Sequence, residues 1–221
     1  MLLSCANKLN DKAEYLAALE KYAAYRPTKE IWAALIGRLE NKNGFANSRL
    51  HLDVLRLRMQ LGTLTTAADY TDFIELTIQA NMPSESKKAI DAAYKSGVFG
   101  SGNEAARQKR LQDRITSDAA ADPKRVADAA AKAEADKDAD GMLAAGFDMV
   151  TAGQADKGLA LMEQGVAAGA KHPDDAKLHL GVAYAYAGKK SKALAAFKSV
   201  SGTDGTADLA RYWTMALNHP L

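Results

Sequence analysis

The sequence predicts an all-α fold built from helical pairs stacked side by side. Three observations carry that expectation. Ala is abundant while Val, Ile and aromatic residues are scarce, with aromatics at 7% of a chain whose hydrophobic share is 48%, a composition that favours helix over strand. Apolar residues between turn signals recur mostly at helical spacing. A pattern of small and large residues also repeats within the chain, the signature of an array of similar units.

The repeat is clearest in GVAYAYAGKKSKALAAF, Gly181 to Phe197. Upstream lies LAAGFDMVTAGQADKGLALMEQG, Leu143 to Gly165. Aligned at an offset of 35 residues, Gly146 falls on Gly181, Gly153 on Gly188, Gly158 on Ala193 and Met162 on Phe197. Glycine in mid-helix costs about 1 kcal/mol relative to alanine, a cost tolerated where a second backbone must approach, as expected at Gly146 and Gly181. Gly153 and Gly188 follow helix-length runs and suit the left-handed residue that closes a helix. Gly158 and Ala193 are small where the second helix crosses the first. Met162 and Phe197, one turn later, fill the wedge between neighbouring hairpins.

The elements follow in order. The first ten residues read as the end of a helix that lacks its partner, with Leu2 and Leu3 packed, so that the chain starts inside a longer array. Helices are expected near 11–26, 28–41 and 46–61. The third, SRLHLDVLRLRMQLG, alternates like a strand at Leu50, Leu52 and Val54, yet Leu50, Val54, Leu57 and Leu61 also lie at helical spacing. A lone strand among helices would have no sheet to join. Helices near 65–80 and 84–96 lead to the turn GVFGSG and a helix at 103–119. Asp122-Pro123, an N-cap followed by proline, opens a further helix to about 135. The Ala/Asp/Lys-rich segment after it reads as a solvated helix end. Repeat units follow at 140–170 and 174–200. A last helix then turns Leu209, Tyr212, Trp213 and Ala216 inward at i, i+3, i+4 and i+7, shielding the final hairpin.

The spacing resembles the tetratricopeptide repeat (TPR), whose signature is W-x2-L-G-x2-Y in helix A and A-x3-F in helix B. The last unit carries Leu180-Gly181-x2-Tyr184 and Ala193-x3-Phe197, with Lys177 in the tryptophan position. The unit before it keeps Gly146, Gly158 and Met162 but has Ala145 for Leu and Met149 for Tyr. A weaker copy spans Tyr70 to Gly97, with Tyr70-x2-Phe73, Asn81 at the turn and Ser86-x3-Ile90. Trp32 and Gly37 stand near a helix A signature with Trp32 displaced by one residue, and Tyr15 to Pro27 reads as a B helix. The resemblance implies a right-handed α-solenoid of stacked antiparallel helix pairs, a TPR-like superhelix from a bacterial protein. It divides the chain into degenerate hairpins at 1–100, a divergent hairpin at 101–139, and two clearer units with a capping helix at 140–221.

Several function classes are disfavoured. A net charge of +2 is far from the basic stripe of a nucleic-acid binder. Cys5 is the only cysteine, so neither an internal disulfide nor a Cys/His zinc cluster is expected, and no histidine is placed to activate it. No run is long enough to cross a bilayer. MLLSCA lacks the basic region and apolar core of a signal segment, and the compartment, cytoplasmic or periplasmic, stays open. GVFGSGNE resembles a phosphate loop only superficially, since a helix precedes it and no Lys-Ser/Thr follows. His51, His172, His179 and His219 complete no metal triad. Asp136, Asp138 and Asp140 with Gly141 begin like a calcium loop, but Phe147 stands where a glutamate would be needed. Asp174 and Asp175 suit the start of a helix. Arg107, Arg110 and Arg114 line one exposed helix face opposite Leu111 and Ile115, and no G-x-S-x-G motif occurs.

What remains is a surface. The resemblance implies that the A helices line a concave groove that holds a peptide or protein segment. Its positions here are Arg38 and Asn41, then Thr71, Glu75 and Gln79, then Leu143, Phe147, Val150, Leu178, Val182 and Tyr186. The first groups are polar, the last apolar. The Lys/Asn/Arg clamp for a terminal carboxylate is missing. The expectation is a non-enzymatic protein-interaction scaffold without cofactor or metal. The alternatives are a regulatory fragment of a longer enzyme-associated or envelope-assembly protein, and a superhelix binding a small ligand or lipid. An RNA-binding repeat is a further rival, which steep salt-dependent retention of RNA would reveal.

Overall fold

Eleven α-helices and no strand make up residues 12–221, the part of the chain that the computed structural model describes. The readings of Leu2, Leu3, Cys5 and the MLLSCA segment lie outside the described residues. The helices are α1 (Lys12–Tyr25), α2 (Lys29–Glu40), α3 (Asn47–Gln60), α4 (Ala67–Gln79), α5 (Pro83–Lys95), α6 (Ala105–Asp136), α7 (Ala139–Thr151), α8 (Ala155–Ala168), α9 (Pro173–Tyr186), α10 (Lys190–Lys198) and α11 (Thr206–Asn218).

Local chemistry explains several of their starts and stops. Thr28 caps α2 by accepting from the Ile31 amide at 3.4 Å. Thr66 and Asp69 form a reciprocal capping box at the head of α4, with N–H···O distances of 3.1 and 3.0 Å. Asp138 caps α7 through the Gly141 amide at 3.1 Å. Asn81, at the turn before α5, has φ 57°, the left-handed conformation that the turn glycine position requires. Among the described residues, no helix is long and apolar enough to cross a membrane.

One boundary differs from expectation. Asp122-Pro123 does not start a new helix: α6 runs unbroken through Pro123 to Asp136. Proline removes one backbone donor, yet Ile115, Val126, Ala130 and Ala133 keep a continuous buried stripe along the helix against its neighbours α5 and α7. Tertiary packing therefore overrides the local signal. Asp122 is not a cap either; its carboxylate accepts from Arg125 Nε at 2.5 Å.

Helix α3 resolves the ambiguous alternating segment. Leu50, Val54 and Leu57 are fully buried in the largest of three hydrophobic clusters, whereas Leu55 is fully buried in a second. A helix buried on opposite sides shows apolar residues all round, so strand-like alternation there reflects two-sided burial.

The two C-terminal pairs show what the small residues do. A Cβ on Gly146 would stand 2.6 Å from the Gly158 carbonyl oxygen and 2.6 Å from Met162 Cγ. Here α7 and α8 meet backbone to backbone. In the next pair the approach is different: a Cβ on Gly181 would run into the Phe197 ring of α10. The expected backbone approach at Gly181 is thus a ring approach, because Phe197 is larger than Met162 and fills the space. Gly153 and Gly188 close α7 and α9 with φ of 88° and 71°.

Helix α11 buries Leu209, Tyr212, Trp213 and Ala216, the stripe its periodicity indicates. One side covers the last pair, with Trp213 stacked on Phe197 at 6.0 Å and 19°. The other side receives the beginning of the chain. Trp32 meets Tyr212 edge-on at 6.1 Å, Phe45 lies against Gly205, whose φ is 106°, and the Ala46 amide donates to the Asp204 carbonyl at 2.9 Å. Lys42 pairs with Asp208 at 2.7 Å, and Arg49 pairs with both Asp175 and Asp204. In a simple linear array each unit touches only its sequence neighbours. These contacts between the first three helices and the last three go beyond that pattern.

Candidate functional site

The two-sided burial of α3 places charged residues where a solvated face would otherwise lie. Asp53 and Arg56 sit three residues apart and are both 2% exposed. Burying charges is costly unless they are paired and hydrogen-bonded, and each one here is. Arg56 Nη1 donates to Asp53 Oδ1 at 2.9 Å. Its Nε and Nη2 grip Glu85 of α5 at 2.9 and 2.8 Å, a two-point contact with both carboxylate oxygens. The guanidinium carbon lies 4.4 Å above the Phe147 ring of α7, and His179 Nε2 of α9 is 3.0 Å from Asp53 Oδ1. One guanidinium thus ties together α3, α5 and α7, and Asp53 extends the chain to α9.

Burial pushes the Asp53 carboxyl up, but the His179 charge and hydrogen bond, followed by Arg56, outweigh it and hold it down to about 2. Burial likewise opposes the charge on Arg56, and Glu85 together with Asp53 more than reverses that effect. The Tyr186 hydroxyl is pushed above the usual phenol range, first by burial and then by the Glu85 charge.

The network separates two clefts. The first, of about 310 Å³, lies between α3, the α4–α5 turn, α7 and α9. Leu52, Leu143 and Phe147 give it an apolar floor, and Arg49, Asp175 and His179 stand among its polar walls. The second, of about 340 Å³, is lined by Met59, Phe73, Lys88 and Tyr186. Burial lowers the Lys88 ammonium from its usual range, and its Nζ lies 5.7 Å over the Tyr186 ring.

The structure separates the residues of the expected groove into groups. Leu143, Phe147, Val150, Leu178 and Val182 are buried in one core, and Tyr186 packs against it. They share that core with Leu50, Val54 and Leu57 of α3, and Leu143 and Val150 lie beside Gly165 and Gly158 of α8, so they do not form an open wall. Only Leu143 and Phe147 also line the first cleft, and Tyr186 lines the second. Arg38 and Asn41 are exposed at the end of α2, where Arg38 lies 4.6 Å over the Tyr15 ring and Asn41 donates to the Gly37 carbonyl at 2.6 Å. Thr71 is half-buried and Glu75 and Gln79 are exposed on α4. None of these five lines either cleft.

The other candidates have structural partners. GVFGSG is the turn between α5 and α6, anchored by buried Phe99, which meets Tyr70 and Tyr94 edge-on at 6.4 and 6.0 Å. His51 pairs with Asp72 at 2.7 Å. Asp136 pairs with Lys132, and Asp140 accepts from the Lys171 amide at 3.2 Å. Arg107 and Arg114 are exposed beside Glu104 and Asp118 at 3.5 and 3.6 Å. Among the described residues no group of three or more His, Cys, Asp or Glu is arranged to hold a metal ion.

Comparison with protein-family models, with characterised proteins and with solved structures finds no match for this chain.

Sequence reasoning missed Glu85 and the joining of Asp53 to His179. One signal was present: two charges at i, i+3 inside the run LDVLRLRM, where a solvated face has no room.

Proposed function

We propose that this chain is a non-catalytic protein-interaction module of TPR-like helical pairs, and that a short apolar segment of a protein partner docks in the first cleft. The observation that carries this reading is the cleft's construction. Its floor is apolar, while the charged groups around it are already paired, Arg49 with Asp175 and Asp53 with Arg56 and His179. An apolar anchor point inside a satisfied polar rim is how protein interfaces concentrate binding energy. Groups so engaged are poorly placed to act as a free nucleophile or base. The paired small residues at the α7–α8 crossing support the TPR-like reading of the C-terminal half.

The partner would contact Leu143 and Phe147 from the expected groove, but not Val150, Leu178 or Val182, which are buried in the core away from the cleft. An enclosed apolar chamber would favour a small-ligand or lipid carrier instead; the first cleft opens to solvent.

Ala144 is exposed and lines the cleft, so Ala144→Arg obstructs it from a surface position where substitutions usually change stability by less than about 0.5 kcal/mol. A displayed library of random peptides panned on the wild-type protein is expected to enrich sequences with a large apolar residue. Those peptides should lose binding to Ala144→Arg, whose melting curve should match wild type. Peptides that bind both proteins equally, or a library that enriches nothing, would overturn the proposal.

A further inference from the structure

A second buried charge cluster lies apart from the clefts just described, where α6, α7 and the α4–α5 turn meet. Asp122 of α6 and Asp148 of α7 are 4% and 3% exposed. Both carboxylates converge on one guanidinium: Arg125 Nε reaches Asp122 Oδ1 at 2.5 Å, and Nη2 reaches Asp148 Oδ2 at 2.7 Å. The same Nη2 donates to the Asn81 carbonyl at 3.1 Å. Two buried acids therefore share one base.

The second oxygen of Asp122 is buried without a hydrogen-bond donor. An orphaned buried acceptor is costly, and the neighbouring acid can supply the missing donor if it carries a proton. Burial, followed by the Asp122 charge, pushes the Asp148 carboxyl up to about 7 despite Arg125. With the proton in place, one negative charge faces one guanidinium. Without it, two largely buried negative charges face the same guanidinium.

The other charged groups lie around the rim. Lys132, Asp136 and Asp138 line a cleft of about 310 Å³ on the Asp148 side. Arg114 and Asp118 line another of about 490 Å³ on the Asp122 side. From α7 itself the Thr151 hydroxyl approaches Asp148 Oδ1 at 3.5 Å. Asn81 from the α4–α5 turn and Ser86 from α5 are uncharged.

We propose that Asp122, Asp148 and Arg125 form a proton-operated latch: one shared proton and one guanidinium hold the second half of α6 against α7, and release of that proton loosens the joint. The two flanking clefts share Asn81, Met82 and Arg125, so the loosened joint would enlarge the space on either side of the Arg125 side chain.

The sign of the pH effect follows from linkage. Asp148 binds its proton more tightly in the folded joint than in the open one, where the ordinary value of 3.8 applies. The latch is fully set below about pH 4, weakens as the pH rises toward 7, and changes little above that. Hydrogen exchange of the wild-type chain, corrected for the intrinsic pH dependence of amide exchange, reads this directly. Protection of amides in 126–136 should fall by up to about tenfold per pH unit across that window, while amides of α2 change less. Asp148→Asn should hold protection nearly constant over the same range. Asp122→Asn provides a second test should the first variant fold poorly: with the like charge gone, the Asp148 carboxyl carbon should titrate lower by NMR than in wild type. Protection independent of pH in the wild type, equal pH dependence in the wild type and Asp148→Asn, or a wild-type Asp148 titrating in the ordinary carboxyl range would overturn the latch.

Discussion

Arg56→Met is expected to destabilise the protein by about 3–5 kcal/mol, read as a lowered urea midpoint with an unchanged slope. The side chains are similar in length, so lost packing is a minor effect. What is lost is the guanidinium that contacts both Glu85 and Asp53, at 2.8 and 2.9 Å. Glu85 would then be buried without its charge partner, and Asp53 would keep only His179. Since small domains have a net stability of about 5–15 kcal/mol, such a loss would remove a large share of it. Replacing the whole network with apolar groups of similar size, Asp53→Leu with Arg56→Met and Glu85→Leu, should recover most of the loss, because no uncompensated charge remains. A triple variant as unstable as the single one would show that Arg56 acts through shape and not charge.

Gly146→Ala and Gly158→Ala should each lower stability by about 1–3 kcal/mol, the usual penalty for overfilling a packed interior. This holds even though alanine improves helix propensity by about 1 kcal/mol. At Gly146 the added carbon meets backbone oxygen at 2.6 Å, and at Gly158 it also meets Met149 Cβ and Val150 Cγ2 at 2.9 Å. Backbone cannot rotate away as a side-chain tip can. Gly37, also within a helix, has nothing within 4 Å of a built Cβ. Gly37→Ala should therefore gain about 0.5–1 kcal/mol. Thermal melts of the three variants separate the two cases. Equal shifts at all three positions would mean that propensity alone governs these glycines.

Much of the helical layout is readable from the chain because it rests on local chemistry. Thr66 with Asp69 announces α4, and the i, i+3, i+4, i+7 stripe from Leu209 to Ala216 announces the buried face of α11. The small residues at Gly146 and Gly158 point to a close crossing because few other roles justify glycine in mid-helix. What escapes the sequence depends on partners far along it. Asp53 meets His179 from 126 residues away, and no local pattern records that meeting. The apolar positions Val150, Leu178 and Val182 look like an open groove when α9 and α7 are considered alone. They are buried in a core that also takes in Leu50, Val54 and Leu57 of α3. The same long-range packing carries α6 through Pro123, whose local signal points the other way.

The chain returns on itself, with α2 and α3 seated on α11 and α9, and the buried Arg56 network and the first cleft both depend on that return. Nuclear Overhauser spectra of the aromatic-labelled full chain test it most directly. Cross-peaks are predicted between the Trp32 and Tyr212 rings, whose centroids are 6.1 Å apart, and between the Phe45 ring and the Gly205 α-protons. Spectra in which the Tyr212 ring shows no cross-peak to Trp32, and α11 contacts only Phe197 and the rest of the last hairpin, would contradict it.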